Sequence, residues 1–573
     1  MLIKKPYNVM GINPGHNGSV AIVSNGELVY YIEEERLSRL KYDGNPFRGM
    51  LDAMNRYKID EVVIGGTTLN LPTLPWTGED PYSALIRKFD PEIKISNLGD
   101  EHHFGHSACA FYNSGFDSCV SVVVDGAGSY RKERVKEIDV EGFETESIWT
   151  WEYPAIYNLI KKNYGADHCI KISNDIVEFD NGVSIVKSYE AVSEYLGFGF
   201  IDAGKTMGLS SYGKADENIP ELFIGGRGNK NLFIPHYPSG AIIDKERYPQ
   251  FKRNTKPKGW HSDPILLLDI EKNLAWKIQE DTQKMVGDLI QEAIDKTKQT
   301  NVTLSGGYAL NCVSNYYLKK RFPNINLYIE AISHDGGTSI GLAKVGYYRY
   351  ISKEEVVKYK QKTLYCGPSY PNQFIEFHIQ QYSPDISTKI VTYEDVAKLI
   401  SEKNIVAMYQ GQSEAGPRSL GNRSILYDPR DLNGKDFVNE VKGREWFRPF
   451  AGSILAEDAN DWFDMGGLEE SPFMMYAVNV LPNKVSQIPT ITHVDNTCRI
   501  QTVTIDQNRN FYNLITEFKK ITGVPILFNT SFNLAGEPLV ETIIDGLTVL
   551  FKSKINYLYL PEMNLLIEKN LKL

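Results

Sequence analysis

Apolar and polar positions alternate in short blocks at the start of the chain. Tyr7 to Met10 is an apolar run, Gly11 to Ser19 is polar, and the apolar runs Val20 to Val23 and Leu28 to Ile32 flank the turn residues Asn25 and Gly26. This predicts a strand, a polar loop rich in glycine and histidine, and a hairpin. The pattern recurs from Cys119 to Gly128, where SVVV runs into Asp125, Gly126 and Gly128, and a third time from Val302 to Asn311. Strands that end in Gly-rich polar loops predict an α/β domain with its chemistry at the carboxyl ends of the strands, where backbone N–H groups can face a phosphate.

Between Glu280 and Thr297, Met285, Val286, Leu289, Ile290 and Ala293 recur at helical spacing, which predicts an amphipathic helix packed on the core and leading into the third strand. The Lys-rich stretch from Ser352 to Tyr370, closed by Cys366, Gly367, Pro368 and Ser369, reads as a domain boundary. It separates an expected domain at 1–352 from a second α/β pattern at 365–573, with strands at Ile405 to Tyr409 and Pro525 to Phe528. A length of 573 residues favours two large domains or a few smaller ones. No solenoid repeat or low-complexity tract interrupts the pattern.

Composition narrows the class. With 42% hydrophobic and 23% charged residues, the chain has the profile of a soluble globular protein. No run of about 18 apolar residues and no cleavable leader pattern is present, so a cytoplasmic protein with no membrane contact is expected. Cys109, Cys119, Cys169, Cys312, Cys366 and Cys498 form no CxxC pair, which points to reduced thiols. A formal charge of −10 argues against a broad, sequence-independent grip on nucleic acid, though not against a local basic groove.

The candidate chemistry falls in several short segments. Asp100 followed by EHHFGHSACAFYNSG reads as an N-capped helix ended by Gly115, on which His102 and His106 share one face. Two imidazoles do not close a metal site; Asp125, after VVV, and Asp335, in SHDGGTS, are the carboxylates to complete it. The resulting N/O shell suits iron, manganese or zinc. Read separately, the histidines are surface or capping residues, and Asp335 is a helix N-cap before Thr338. The loop Asn13, Pro14, Gly15, His16, Asn17, Gly18, Ser19 offers backbone donors and an imidazole for a developing negative charge. Ser305, Gly306, Gly307 with Asn311, and Gly204 to Gly208 around Lys205, are similar loops. Denser still are GQSEAGPRSLGNRS and VKGREWFRPFAGS, where Arg418, Arg423, Lys442, Arg444 and Arg448 alternate with glycines, as phosphate recognition requires. His493 and Arg499 in THVDNTCRIQ and Asn529, Ser531 and Asn533 in NTSFN extend this set.

Taken in order, these segments resemble the NodU/CmcH-type O-carbamoyltransferases over most of the chain. The resemblance runs through HNGSVA, EEERLSRLK, DEHHFGHSACAF, VDGAGS, GKTMGLSSYG, LSGGYALNC, SHDGGTSIGLA, GPRSLGNRS, VKGREWFRPFA, THVDNTCRIQT and GVPILFNTSFN. It implies an α/β protein with an N-terminal ASKHA (actin-like) domain and a C-terminal YrdC-like domain. The latter would make carbamoyl-adenylate from ATP, carried with Mg2+, and carbamoyl phosphate. The former, with a bound divalent metal, Fe2+ first among the choices, would pass the carbamoyl group to an acceptor hydroxyl. By motif position, His102, His106, Asp125 and Asp335 become metal ligands, and His16, Lys41 and Asp335 catalytic residues. Lys205, Gly306, Gly307 and Asn311 line a nucleotide site of the transfer domain. Arg418, Arg423, Lys442, Arg444, Arg448, His493, Arg499 and Asn529 line the activation site.

Four features depart from the family pattern: Asn17 in place of the usual Asp, Tyr42 in place of His, Gly452 in place of Pro, and the stretch Trp149 to Ile185. Three of them lie in the N-terminal half and bear on acceptor choice. A small-molecule or sugar acceptor is favoured over a hydroxymethylated pyrimidine in DNA, the acceptor of some viral relatives. An ASKHA nucleotide-binding module or threonylcarbamoyl-tRNA factor is the alternative of another class, and GPRSLGNRS with VKGREWFRPF argues against it. The resemblance also allows a homodimer.

Overall fold

The computed structural model describes residues 6–66, 71–99, 101–135, 137–173, 176–236, 240–252 and 268–570. The chain forms two compact units, the first ending at Gln361 and the second beginning at Lys362; Arg39–Lys41 groups with the second. Residues 353–361 thus pack with the N-terminal unit: Tyr348 OH donates to the Val357 carbonyl at 2.6 Å and Gln361 N–H to the Asn113 carbonyl at 3.0 Å.

The N-terminal unit is built on two sheets of the same topology. In the first, β1 (Asn8–Asn13), β2 (Ser19–Ser24), β3 (Glu27–Glu33), β4 (Glu61–Gly65) and β5 (Lys94–Gly99) run in the order β3-β2-β1-β4-β5. β1 is antiparallel to β2 and parallel to β4, β2 is antiparallel to β3, and β4 is parallel to β5. In the second, β6 (Ser118–Val124) is central. β7 (Tyr130–Val135), β8 (Ile138–Glu152), β9 (Ile156–Ala166), β10 (Ile170–Ile172) and β11 (Val177–Asp180) lie to one side of it. Two small hairpins follow, β12 (Phe223–Ile224) with β13 (Arg227–Gly228) and β14 (Phe233–His236) with β15 (Gly240–Ile243). β16 (Asn301–Ser305) and β17 (Asn326–Ile329) complete the core order β9-β8-β6-β16-β17 with the same directions. This duplicated order is that of the ASKHA fold.

Helices fill the faces because the strands carry apolar residues on both sides. The helices are α1 (Glu34–Ser38), α2 (Phe47–Arg56), α3 (Pro81–Phe89), α4 (His102–Ser114), α5 (Ile185–Tyr195), α6 (Ala203–Ser210), α7 (Asp269–Thr297), α8 (Cys312–Arg321) and α9 (Thr338–Tyr348). The amphipathic segment at 280–297 is the second half of α7. Backbone contact between α4 and α9 decides the site. A Cβ on Gly341 would lie 2.1 Å from the Gly105 carbonyl oxygen, so only glycine lets the two helices approach this closely. A Cβ on Gly11 would lie 1.9 Å from the Ser339 carbonyl oxygen, which presses α9 equally hard onto β1. Fully burying each Val, Ile or Met side chain here contributes about 1.5–3 kcal/mol, and the tight crossings keep that core free of voids.

The C-terminal unit is a single mixed sheet of β18 (Ile386–Ile390), β19 (Val406–Tyr409), β20 (Arg423–Tyr427), β21 (Ala451–Leu455), β22 (Phe463–Asp464), β23 (Ala477–Val480), β24 (Thr497–Val503), β25 (Ile526–Ser531), β26 (Tyr557–Leu560) and β27 (Leu565–Lys569). The strand order is β18-β27-β26-β19-β20-β25-β21-β24-β23-β22. The helix at Gly434–Lys442 ends at Gly443, whose φ of 64° turns the chain into the Arg444–Phe450 loop. No described helix is long and apolar enough to cross a membrane.

Candidate active sites

In the N-terminal unit, α4 starts at His102, which brings His102 and His106 onto one face one turn apart, their Nε2 atoms 3.1 Å from each other. The proposed cap, Asp100, lies outside the described residues. Asp125 enters from the end of β6, its Oδ2 3.2 Å from His102 Nε2 and 3.8 Å from His106 Nε2. Asp335 enters from the turn before α9, its Oδ1 3.7 and 3.9 Å from the same two nitrogens. Its carboxylate faces this cluster and does not cap α9, which has no side-chain cap bond; the Thr338 hydroxyl donates to the Asp335 backbone carbonyl at 2.7 Å. One donor atom from each of the four residues lies within 4.8 Å of all the others.

The donor set fits a metal ion. His102 Nδ1–H donates to the Gly66 carbonyl, which orients the ring so that Nε2 is the atom turned to Asp125 and His106 and available to an ion. Two buried imidazole nitrogens, the buried Asp125 carboxylate and the half-buried Asp335 carboxylate, all in contact, need a positive charge among them. The acid–base pattern shows the same demand. Burial would lower the His102 pKa, yet Asp335 and Asp125 hold it well above the usual range. His106 is pushed down to about 3 by burial and then by His102. Burial would raise Asp125, but the hydrogen bond from His102 pulls it well below the carboxylate range. A first-row ion about 2.0–2.2 Å from each donor spans separations of this order.

His16 stands beside this cluster, its Nδ1 3.9 Å from Asp335 Oδ2 and its ring stacked 5.2 Å from Tyr42. Its loop is clamped from both sides: Gly15 and Gly18 N–H donate to the Gly44 and Asp43 carbonyls at 2.8 and 2.9 Å. Asn17 is buried at φ 53°, a left-handed conformation that asparagine tolerates. Asp125 also bridges to the third loop, accepting the Gly307 N–H on Oδ1 at 2.8 Å. There Gly306 at φ 88° passes so close to β6 that a Cβ would lie 2.4 Å from the Val124 carbonyl oxygen. Asn311 caps α8 through Ser314 N–H at 3.0 Å and exchanges bonds with Gln279 at 2.8 and 3.2 Å. Lys205, on α6, pairs with Asp202 at 2.9 Å. Met207 on the same helix brings its sulfur 3.9 Å from Cys312 Sγ.

The C-terminal unit holds the opposite charge. Lys442 is buried and bonds the Ser531 carbonyl and, at 3.0 Å, Asn533 Oδ1. Burial, then Arg444, Arg448 and Lys41, depress its pKa well below the lysine range. Lys41, expected in transfer, therefore belongs to the field of this cluster; its neighbour Arg39 bonds the Leu539 and Pro538 carbonyls at 2.7 and 2.9 Å. Arg444 is depressed by burial and then by Arg448, Arg499 and Arg418, with Glu445 as an opposing carboxylate. Cations that lower one another's pKa are held in a field that an anion relieves. His493 is buried on the turn before β24, its N–H bonded to the Thr497 carbonyl at 2.8 Å.

Two residues expected to touch phosphate are committed elsewhere. Arg423 is buried, and its guanidinium donates to the backbone carbonyls of Glu541, Gln410, Asn422 and Gly411 while lying 3.8 Å over the Tyr409 ring. It has one N–H left and serves as framework. The Asn529 amide bonds Ser453 Oγ at 2.9 Å, Gln501 Oε1 at 3.2 Å and Ser419 at 3.3 and 3.4 Å, which positions the 418–421 loop. Sequence reading missed Glu414. Its Oε1 accepts the backbone N–H groups of Leu420, Asn422 and Arg423 at 2.8, 2.7 and 3.0 Å, shaping the same loop. A lone acid inside an arginine- and glycine-rich segment was the available signal.

Residues 81–344 match the family model described as carbamoyltransferase N-terminus, and residues 397–569 match the carbamoyltransferase C-terminus. Nodulation protein U of Rhizobium tropici is 30% identical over 92% of this chain and 91% of that protein. The 3'-hydroxymethylcephem-O-carbamoyltransferase of Amycolatopsis lactamdurans is 25% identical over 94% of this chain and 95% of that one. Among solved structures, full-length HypF in its phosphate- and nucleotide-bound form covers 62% of this chain and 57% of its own, at 12% identity and a TM-score of 0.32. The chain is a carbamoyl-transferring enzyme that belongs to the NodU/CmcH family of O-carbamoyltransferases.

Proposed function

We propose that the enzyme divides carbamoyl transfer into two half-reactions, activation in the C-terminal unit and transfer in the N-terminal one. The support is the opposite charge of the two clusters: Lys442, Arg444, Arg448, Arg499 and Arg418 gathered around one another, against His102, His106, Asp125 and Asp335. Activation handles only anions. Water hydrolyses carbamoyl phosphate to carbamate and phosphate, and a carbamate oxygen attacks the α-phosphorus of Mg-ATP, releasing pyrophosphate and leaving carbamoyl-adenylate. Clustered arginines stabilise the charge that accumulates on the transferring phosphoryl group.

In transfer, an acceptor hydroxyl attacks the carbamoyl carbon, AMP leaves, and the hydroxyl proton passes to His16, the imidazole beside Asp335. A divalent metal held by the four donors, iron being our first choice, supplies Lewis-acid stabilisation of the charge that develops. Asp125, through its bond to Gly307 N–H, couples the ligand set to the loop that we assign, with Lys205 and Asn311, to the adenylate. The acceptor we favour is a hydroxyl on a small molecule or sugar.

The test is to incubate the enzyme with ATP, carbamoyl phosphate and an acceptor panel of sugars, small alcohols and DNA containing hydroxymethylcytosine. A mass gain of one carbamoyl group on a sugar or small molecule, dependent on ATP, supports the reading. Gain on the DNA alone replaces the acceptor class, and transfer without ATP contradicts the adenylate.

A further inference from the structure

The run Glu33-Glu34-Glu35 has no part in the chemistry above, yet all three carboxylates are buried within a few residues of one another in sequence. Burying three consecutive acids is costly unless each finds donors, and each does so in a different direction. Glu33 Oε1 lies 3.4 Å from His334 Nε2 and accepts from Tyr31 OH at 3.3 Å. His334 Nδ1 in turn accepts the Gly336 N–H at 3.1 Å, which puts the ring proton on Nε2, within ion-pair reach of Glu33 though not hydrogen-bonded to it. The Gly336 N–H bond to Nδ1 shapes the turn presenting Asp335, and a Cβ on Gly336 would lie 2.5 Å from Tyr31 OH. Glu34 accepts the Arg48 and Gly49 N–H groups at 3.2 and 2.9 Å, anchoring the start of α2, which follows the 43–44 turn that clamps the His16 loop. Glu35 accepts the Tyr42 N–H at 2.8 Å, and the Tyr42 ring stacks on His16.

We infer that this run is the positioning frame of the transfer site, with Glu33 setting the metal ligand Asp335 through His334, and Glu35 setting His16 through Tyr42. None of the three touches the reacting atoms; they are positioning residues, and the inference rests on the metal-site reading above. The two arms serve different elements, so they give different defects, unlike a general loss of packing.

The test titrates Co2+ into the metal-stripped full-length protein against a chromophoric chelator, beside carbamoyl transfer and thermal unfolding. Glu33→Ala weakens Co2+ binding by about 10-fold, the low end of the cost of losing a ligand's own outer-sphere partner, because Glu33 acts on Asp335 one residue further out. Glu33→Gln, which keeps an acceptor oxygen, restores it to within a few fold. Glu35→Ala leaves Co2+ affinity within about twofold and lowers kcat for transfer by about tenfold or more, a loss in the range of misplaced general-base catalysis. If Glu33→Ala does not fold, His334→Ala read against His334→Asn asks the same question, since Asn keeps an acceptor for the Gly336 N–H. Unchanged Co2+ affinity in Glu33→Ala while His106→Ala loses the ion overturns the inference and leaves the metal site standing. Equal Co2+ binding by wild type and His106→Ala overturns the site and the inference together. Equal weakening in Glu33→Ala and Glu35→Ala reduces the frame to packing.

Discussion

The two clusters meet the same physical problem with opposite signs. In the N-terminal unit, Asp125 and Asp335 are drawn below the carboxylate range while His102 is raised, so the group is short of positive charge. In the C-terminal unit, Lys442 and Arg444 are driven down by burial and by the cations around them, so that group is short of negative charge. Neither arrangement is stable packing for its own sake, because buried like charges cost free energy that only a counter-ion returns. Their support differs too. The acidic cluster is held by side chains on three separate elements and by a carbonyl, Gly66, acting on an imidazole. The cationic one is framed by Glu414, Arg423 and Asn529, whose polar groups are largely spent on backbone and neighbouring amides.

The largest effect that breaks this comparison comes from the cationic cluster. Arg448→Ala lowers pyrophosphate release from ATP and carbamoyl phosphate by roughly 10–100-fold, since it removes a charge-assisted bond worth about 1.5–3 kcal/mol. It also leaves the unfolding midpoint unchanged or higher, because repulsion on Arg444 and Lys442 is relieved. Arg423→Ala does the reverse. It takes a donor from four backbone carbonyls, of which Asn422 keeps the Gln410 N–H and Glu541 the Tyr409 O–H, and costs roughly 3 kcal/mol, read as an earlier urea transition. An Arg423→Ala protein as stable as wild type would return that residue to the phosphate site.

The smallest effect is a proton. Sulfate entering the cluster raises the depressed Lys442 pKa toward the ordinary lysine value, so binding takes up a proton between those two pKa values and affinity falls as pH rises through that window. Calorimetry in two buffers of different ionisation enthalpy measures the uptake, and Lys442→Met abolishes it. Proton release on binding would contradict the direction given for Lys442.

Much of this was legible in the chain, but unevenly. Strand-loop repeats at 7–32, 119–128 and 302–311 carry period-two and turn signals, and they mark β1 to β3, β6 and β16. The four-residue step from His102 to His106 reads directly as one helix face, because helical spacing is local. What local spacing cannot carry is the destination of a side chain. Arg418 and Arg423 look alike in GPRSLGNRS, and only the return of Gln410, Gly411 and Glu541 to the same place shows that Arg423 has spent most of its N–H groups on backbone carbonyls. The grouping of Arg39–Lys41 with the C-terminal unit has no periodic trace, and neither has the divergence of Glu33, Glu34 and Glu35 within one acidic run. The packing of 353–361 on the N-terminal unit is equally a matter of distant partners, Tyr348 and Asn113.

The most direct test of the division of labour is one mutant read in two assays. Asp335→Ala removes a donor of the acidic cluster and none of Arg418, Lys442, Arg444 or Arg448. Pyrophosphate release from ATP and carbamoyl phosphate is therefore expected to continue, while carbamoylated acceptor falls by orders of magnitude, the scale of several kcal/mol of lost transition-state stabilisation. Loss of both signals together in a folded Asp335→Ala protein would contradict two half-reactions and require a single shared site.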